Sequence, residues 1–166
     1  MGYTPLHSAT DNGHTECVKL LLAHPDIQVD AQDSTDETAL IKACRKNNTD
    51  IAKVLLMKGA DVNLKNNNGM TALHRAAKCG DDEQMEKLLN ILSINVNVQD
   101  ENGWTPLHFA AYTGHIECVN ILLNAQGIDV NINNNSYRTP LALTQSHWSE
   151  NKQKIIHVLK QHGATY

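Results

Sequence analysis

Histidine and cysteine side chains are the first candidates for chemistry in this chain of 166 residues, which contains nine histidines and four cysteines. A zinc site brings two pairs of such ligands together at short, regular spacings. His157 and His162 are five residues apart, and neither a cysteine pair nor a carboxylate accompanies them at zinc spacing. The sequence also lacks a glycine-rich phosphate loop and the signature of an activated nucleophile. We therefore predict no metal, no cofactor and no catalytic residue, and we do not expect an enzyme.

Most of the histidines recur instead at fixed places in a repeated phrase. Thr-Pro-Leu-His or a close variant begins at five threonines, which lie 34, 33, 34 and 34 residues apart: Thr4, Thr38, Thr71, Thr105 and Thr139. His7, His74 and His108 share the fourth position of this phrase. A structural role at the start of a helix explains that recurrence better than catalysis does. We predict that each imidazole ties its helix to a neighbouring turn.

Local signals predict two short helices in each repeat. In the fourth repeat Thr105 is a good N-cap and Pro106 falls at the first helical position. Gly114 is typical of a helix end, and a second helix is expected from about Ile116 to Asn124. An extended arm then leads to the next turn. In the second repeat Asn47 takes the position of the terminal glycine, because asparagine also tolerates left-handed geometry.

A period near 33 residues that opens on Thr-Pro-Leu-His resembles the ankyrin repeat, and the resemblance covers the whole chain. It implies an all-α fold, an ankyrin-repeat solenoid of helix-turn-helix units joined by β-hairpin-like turns. Each unit would bury its apolar side against its neighbours only. We expect a single ankyrin-repeat domain over residues 1–166. Its repeats would span about 1–33, 34–66, 67–100, 101–134 and 135–166.

Composition and net charge limit the kinds of partner and the cellular location that we expect for this protein. The net charge of −4, from 14 basic and 18 acidic residues, argues against a nucleic-acid partner. No apolar run is long enough to span a bilayer, so no membrane insertion is expected. We interpret the cysteines as buried or half-buried free thiols, with a Cys44–Cys79 pair as the less favoured alternative. Because Thr4 already belongs to the first repeat, no signal peptide is expected, and we predict a cytoplasmic or nuclear location.

The two ends of the repeat array differ in polarity. The last helix carries Lys154, His157 and Lys160, which suit a terminal cap. The second helix of the first repeat, with Cys17 and Leu20 among other apolar residues, has the pattern of an internal repeat. A fragment of a longer protein is therefore the alternative interpretation of this chain.

The resemblance implies that the hairpins and first helices form a concave face that binds other proteins. Large side chains and a basic stripe mark this face. The candidate partner-binding residues are Tyr3, Lys42, Arg45, Lys46, Met70, Arg75, Lys78, Trp104, Tyr112 and Arg138. The basic stripe favours an acidic or phosphorylated segment, with a solvated charged surface as the alternative. Trp104 and Tyr112 are typical of binding hot spots, although Trp104 could instead pack over its own hairpin.

The resemblance also implies a candidate modification. Asparaginyl hydroxylases act on some ankyrin proteins at the asparagine of the Val-Asn arm, which corresponds here to Asn63, Asn97 and Asn131.

Taken together, the residues and the resemblance favour a non-enzymatic protein–protein interaction scaffold that binds a partner protein on the concave face. The alternative is a targeting or autoinhibitory ankyrin segment of a larger multidomain protein, such as an enzyme, a channel or a secreted effector. The oligomeric state stays open.

Overall fold

The computed structural model describes residues 2–145 and 150–166, and no strand occurs within these ranges. Ten helices follow one another in five pairs. Their bounds are α1 Pro5–Asp11, α2 Thr15–Leu22, α3 Ala39–Arg45, α4 Thr49–Met57, α5 Ala72–Cys79, α6 Asp82–Leu89, α7 Pro106–Thr113, α8 Ile116–Leu123, α9 Pro140–Leu143 and α10 Lys152–Gln161. The predicted all-α solenoid is confirmed. Residues 146–149 lie outside the described residues.

Threonine and histidine together begin the first helix of a pair, as the sequence predicted. At α5 the backbone N–H of Thr71 donates to Nδ1 of His74 at 3.0 Å, so Nε2 carries the proton. Nε2 then donates to the carbonyl of Trp104 in the next pair at 2.9 Å. His7 and His108 make the same link to the following pair, at 2.9 and 3.0 Å. The imidazole thus caps its own helix and fixes the next hairpin.

Positive φ ends the first helix of each interior pair. Gly80 and Gly114 have φ values of 75° and 86°, and Asn47 takes the same place with φ 56°, as predicted. Gly80 is also required by packing. A Cβ atom there would lie 2.6 Å from Nδ1 of His115 in the next pair.

The turns between pairs are short hairpins without strand pairing. The N–H of Asn66 donates to the carbonyl of Met70 at 3.0 Å, and the Asn66 side chain accepts the N–H of Asn68 and of Met70. Adjacent hairpin tips are joined by backbone hydrogen bonds of 3.0 Å from Asn67 to Thr35, from Glu101 to Asn68 and from Asn135 to Asn102. The hairpins therefore form a continuous polar edge along the stack.

The pairs stack in chain order, first helix on first helix and second on second. First helices pack more closely on one another than second helices do. The leucine of the repeated phrase is at most 1% exposed at every occurrence: Leu6, Leu40, Leu73, Leu107 and Leu141. The apolar core therefore runs along the stack between the two helix layers and is not gathered in one centre.

The cysteine prediction was partly wrong. All four thiols are free, and Cys44 and Cys118 are buried, but Cys17 and Cys79 are exposed. Cys17 and Cys118 occupy equivalent positions in α2 and α8. Only Cys118 is covered by a preceding helix pair, where its thiol donates to Asp82 at 3.1 Å.

The buried histidines predict acid sensitivity. Burial lowers the pKa of His74 from 6.5 to about 4 and also lowers the pKa of His108. The unfolded chain therefore binds more protons, so stability should be complete above about pH 6.5 and should fall as the pH drops toward 4. His74 alone would contribute about 3 kcal/mol to this loss.

Urea unfolding at several pH values measures this effect. His74→Gln should show a shallower decline between pH 6.5 and 4 than the parent chain. Parallel declines in the two proteins would contradict the assignment.

Candidate protein-interaction surface

Three positions of each first helix and its hairpin lie on the same side of the stack. They are the residue before the cap threonine, the fourth residue after that threonine, and the residue three further along. We call the described members of this set the inner face: Tyr3, Ser8, Asp11, Glu37, Lys42, Arg45, Met70, Arg75, Lys78, Trp104, Phe109, Tyr112, Arg138 and Leu143. It combines an ionic half, in pairs one to three, with an aromatic half in pair four.

Lys42 is the centre of the ionic half and is only 4% exposed. Its Nζ lies 2.8 Å from a carboxylate oxygen of Asp33, 3.3 Å from Asp11 and 3.5 Å from Glu37. Burial lowers the pKa of Lys42, but hydrogen bonds to Asp33 and Asp11 outweigh burial, and the pKa is raised. Burial likewise raises the pKa of Asp33, but hydrogen bonds from Lys42 and Thr35 hold it well below its usual range. Lys42 and Asp33 are therefore both charged.

Two arginines complete this cluster. Arg45 Nη2 lies 3.0 Å from Asp11, and Arg75 Nη2 lies 2.8 Å from Glu37. The expectation of a free positive stripe was therefore wrong for Lys42, Arg45 and Arg75, because three carboxylates neutralise them. Lys46 and Lys78 are exposed and form no ion pair within the described ranges.

The pairing of the acidic residues with Lys42 was not predicted from the sequence. Asp33 and Glu37 flank a turn, where a carboxylate is usually taken as turn chemistry, and Asp11 ends a helix 31 residues before Lys42. The available signal was a lysine within the otherwise apolar segment of residues 39–44. A lysine there requires acidic neighbours once the helices stack.

The aromatic half is built on Trp104, which is half-buried. Its ring centroid lies 4.9 Å from that of Phe109 and 5.2 Å from that of Tyr112. The Nζ of Lys78 lies 5.7 Å from the Phe109 centroid, over the ring. Trp104 thus packs on its own helix and still presents part of its surface. Sequence reasoning missed Phe109, although it directly follows His108 of the repeated phrase.

A pocket opens beside each half of the inner face, between neighbouring hairpins, with a volume of about 350 Å³ at the aromatic half and about 370 Å³ at the ionic half. The aromatic pocket has Trp104 and Phe109 as its apolar wall. Its polar lining is Asp100, Asn102, Asn135 and Ser136. The ionic pocket lies between Arg45 and Arg75.

The remaining candidates fall in different environments. Met70 is only 4% exposed and belongs to the apolar core, so its expected exposure on the face was wrong. A flexible apolar side chain folds readily inward from a hairpin. Tyr3 is exposed, with its hydroxyl donating to Asp11 at 3.0 Å. Arg138 is exposed beside the aromatic half.

The three arm asparagines have a structural role that is visible in their hydrogen bonds. Asn97 donates from Nδ2 to the carbonyl of Gly127 at 2.7 Å and accepts the N–H of Asp129 at 2.9 Å. Asn63 and Asn131 bind the following arm in the same way. Each side chain therefore satisfies one donor and one acceptor of the next unit. Hydroxylation of these residues stays a prediction.

No group of three histidine, cysteine or acidic side chains suited to a metal ion occurs in residues 2–145 and 150–166. In the same ranges, every helix is too short or too polar to cross a membrane.

Stacked helix pairs with an open inner face define a repeat solenoid. The family model for ankyrin repeats (three copies) matches residues 1–66, 25–100, 57–134 and 73–166. The chain belongs to the ankyrin-repeat family.

Three relatives illustrate the contexts of this family. The chain is 42% identical over 87 residues to ankyrin repeat and SOCS box protein 11 of Danio rerio, covering 52% of the chain and 29% of that protein. It is 39% identical over 85 residues to human transient receptor potential cation channel subfamily A member 1, covering 51% and 8%. It is 42% identical over 91 residues to mouse ankyrin repeat and SAM domain-containing protein 6, covering 53% and 10%. The match thus spans less than a third of each relative.

The hydrogen bonds from Asn63, Asn97 and Asn131 to the following arm, which we call the asparagine ladder, predict a graded loss of stability. Asn97→Ala removes both links to the next arm and should lower the free energy of unfolding by about 2 kcal/mol. Asn97→Asp should cost less, because a carboxylate keeps the acceptor, as Asp30 does when it accepts the N–H of Asp61 at 2.9 Å. Urea unfolding measures both, with exposed Asn90→Ala as the control. Equal stability of Asn97→Ala and Asn90→Ala would contradict the ladder.

The ion pairs around Lys42 predict that replacing this buried lysine lowers stability far more than replacing an exposed lysine does. Lys42→Met leaves Asp33 and its neighbours without their central cation and should destabilise the fold by about 3 kcal/mol. Lys78→Met, a matched change at an exposed lysine, should stay within about 0.5 kcal/mol of the parent. Thermal or urea unfolding of the two variants makes the comparison. A loss for Lys42→Met no larger than that for Lys78→Met would refute the central role of Lys42.

Proposed function

We propose that this protein is a non-enzymatic interaction scaffold that binds a partner protein on its inner face. The five helix pairs, residues 1–166, would act as one domain at an intracellular location, cytoplasmic or nuclear. Ankyrin repeats generally mediate protein–protein interaction. The observation that carries the proposal is the aromatic cluster in which half-buried Trp104 packs between buried Phe109 and half-buried Tyr112 and leaves aromatic surface open beside a pocket.

The geometry favours pair four as the centre of this site. Aromatic side chains that already pack against one another before binding lose little conformational entropy when a partner covers them. Lys78 and Arg138, which are exposed on either side, supply charge at the rim. Lys42, Arg45 and Arg75 have partners within the chain and would contribute by holding the face rigid. An acidic segment fits the remaining exposed cations.

The second candidate is a targeting or autoinhibitory segment of a larger protein. The match to a small part of an ion-channel subunit favours it. In that case the inner face would bind another region of the same protein, and any activity would reside there. The candidate hydroxylation of Asn63, Asn97 and Asn131 is compatible with either context.

Affinity purification with mass spectrometry tests the binding face. Trp104→Ala should remove most specific partners, because truncation of a hot-spot aromatic residue typically costs about 2 kcal/mol or more. Lys78→Glu should weaken the same partners through charge reversal at the rim. Lys53→Glu on α4 and Leu92→Ala, which removes a fully exposed side chain outside the inner face, are the matched controls.

Circular dichroism must show that all four variants are folded. Partners retained by both inner-face variants would place the binding site elsewhere on the molecule.

A further inference from the structure

The inner face divides into a self-neutralised part and a part with unmatched charge. Asp11, Asp33 and Glu37 balance Lys42, Arg45 and Arg75, three carboxylates against three cations. Beyond them, Lys78 and Arg138 stand in the third and fifth pairs with no ion pair among the described residues. The aromatic pocket of the fourth pair lies between them. A ligand therefore meets a pocket that has an aromatic wall and a polar rim, with a cation on each side.

From this arrangement we infer that the inner face binds an extended acidic segment with one large apolar side chain as its anchor. The anchor occupies the pocket against Trp104 and Phe109, and carboxylates on either side of it pair with Lys78 and Arg138. This inference rests on the proposed function and specifies the chemistry of the partner.

The pocket suits an apolar anchor with ordinary backbone around it. Trp104 and Phe109 form the apolar wall, and the amide of Asn102 at the mouth offers a donor and an acceptor to a peptide backbone. The Asn135 amide already donates from Nδ2 to the carbonyl of Glu101 at 2.9 Å. Asp100 also lines the pocket, but its Oδ1 already accepts the N–H of Asn102 at 2.9 Å and of Trp104 at 2.8 Å. That carboxylate is therefore engaged in holding the turn.

Lys78 disfavours a basic anchor against the Phe109 ring. Lys78 already places its ammonium 5.7 Å from the Phe109 centroid, where it takes the favourable position over the ring. A lysine or arginine from a partner would be repelled by that ammonium, whereas a carboxylate would be attracted to it.

Carboxylates fit this site better than phosphates. Phosphate recognition usually relies on guanidinium groups that converge on one anion and bind it through two hydrogen bonds each. Arg45 and Arg75 already direct Nη2 to Asp11 and Glu37. Lys78 and Arg138 belong to different pairs and do not converge, so each suits a single carboxylate.

The repeat spacing sets the spacing of the segment. Neighbouring packed helices lie roughly 8–10 Å apart, and an extended chain advances about 3.3 Å per residue. Because the Lys78 ammonium reaches to 5.7 Å from the Phe109 centroid, the acidic residue on that side is expected about two positions from the anchor, and the one that faces Arg138 about three positions from it.

A defined peptide tests the inference directly. The probe is a fluorescein-labelled serine-based peptide with a central phenylalanine and glutamates at the expected spacing on both sides, and binding is followed by fluorescence anisotropy. Replacing both glutamates by glutamine should weaken binding about tenfold, and replacing phenylalanine by alanine about thirtyfold. Moving the glutamates next to the phenylalanine should weaken binding as much as glutamine does.

Matched protein variants locate the contact. Trp104→Ala should bind about thirtyfold more weakly, and Lys78→Glu should recover affinity for a peptide that carries lysine at the facing position. Lys53→Glu should leave the dissociation constant unchanged. If Trp104→Ala fails to fold, the charge swap at exposed Lys78 still gives the answer.

The inference would be overturned if the parent protein showed no measurable binding of the glutamate peptide, or bound the glutamine peptide equally well. It would also be overturned if the parent protein bound a lysine peptide more tightly than the glutamate peptide, or bound a phosphoserine peptide at least tenfold more tightly. If the peptide fails while Trp104→Ala still loses captured proteins, the acidic anchor model is wrong and the proposed function stands. If those proteins are retained, the proposed function itself fails.

Discussion

Hydrogen bonds from each helix pair to the backbone of the next are the constraint on which this structure depends. The hairpins and arms contain no strands in the described ranges, so their N–H and C=O groups need partners from outside the segment. Side chains at repeating positions provide them, at the helix starts through His74 and its equivalents and in the arms through Asn97 and its equivalents. A third set of links comes from the side chains of Gln32, Lys65 and Gln99, each of which donates a hydrogen bond to a backbone carbonyl of the next repeat. The period of the sequence is thus the period of these links.

The second helix pair breaks this rule and shows how the stack compensates. Ile41 takes the histidine position, so no imidazole reaches the third pair from there. Glu37 instead accepts Arg75 of the third pair, and the same cluster reaches back to Asp11 of the first pair. Charged groups thus replace a neutral link, and Lys42 becomes buried among them. Three residues that the sequence analysis assigned to the binding surface, Lys42, Arg45 and Arg75, thereby hold the helix pairs together.

This use of charge also shapes the surface that is left for binding. Where cations are matched within the chain, the face is rigid and nearly neutral. Where they are unmatched, around Trp104, the face combines open aromatic area with positive charge. A scaffold of repeats can vary one part of its inner face in this way without loss of stacking, because each pair touches only its neighbours.

Local sequence determined most of the fold. The threonine caps, the helix-ending glycines with Asn47 among them, and the leucines of the core depend on neighbours within a few residues or on the fixed period, and all were predicted. The candidate site was predictable only in part, since Trp104, Tyr112 and Lys78 were found while Phe109 and the ion pairs around Lys42 were not. Which carboxylate neutralises which cation depends partly on the turn before α3, which brings Asp33 and Glu37 to Lys42, and partly on stacking, which brings Asp11 to Lys42 and Arg45, and Glu37 to Arg75. The contacts between repeats join residues about 30 or more positions apart, so only the tertiary structure could decide which charges remain free.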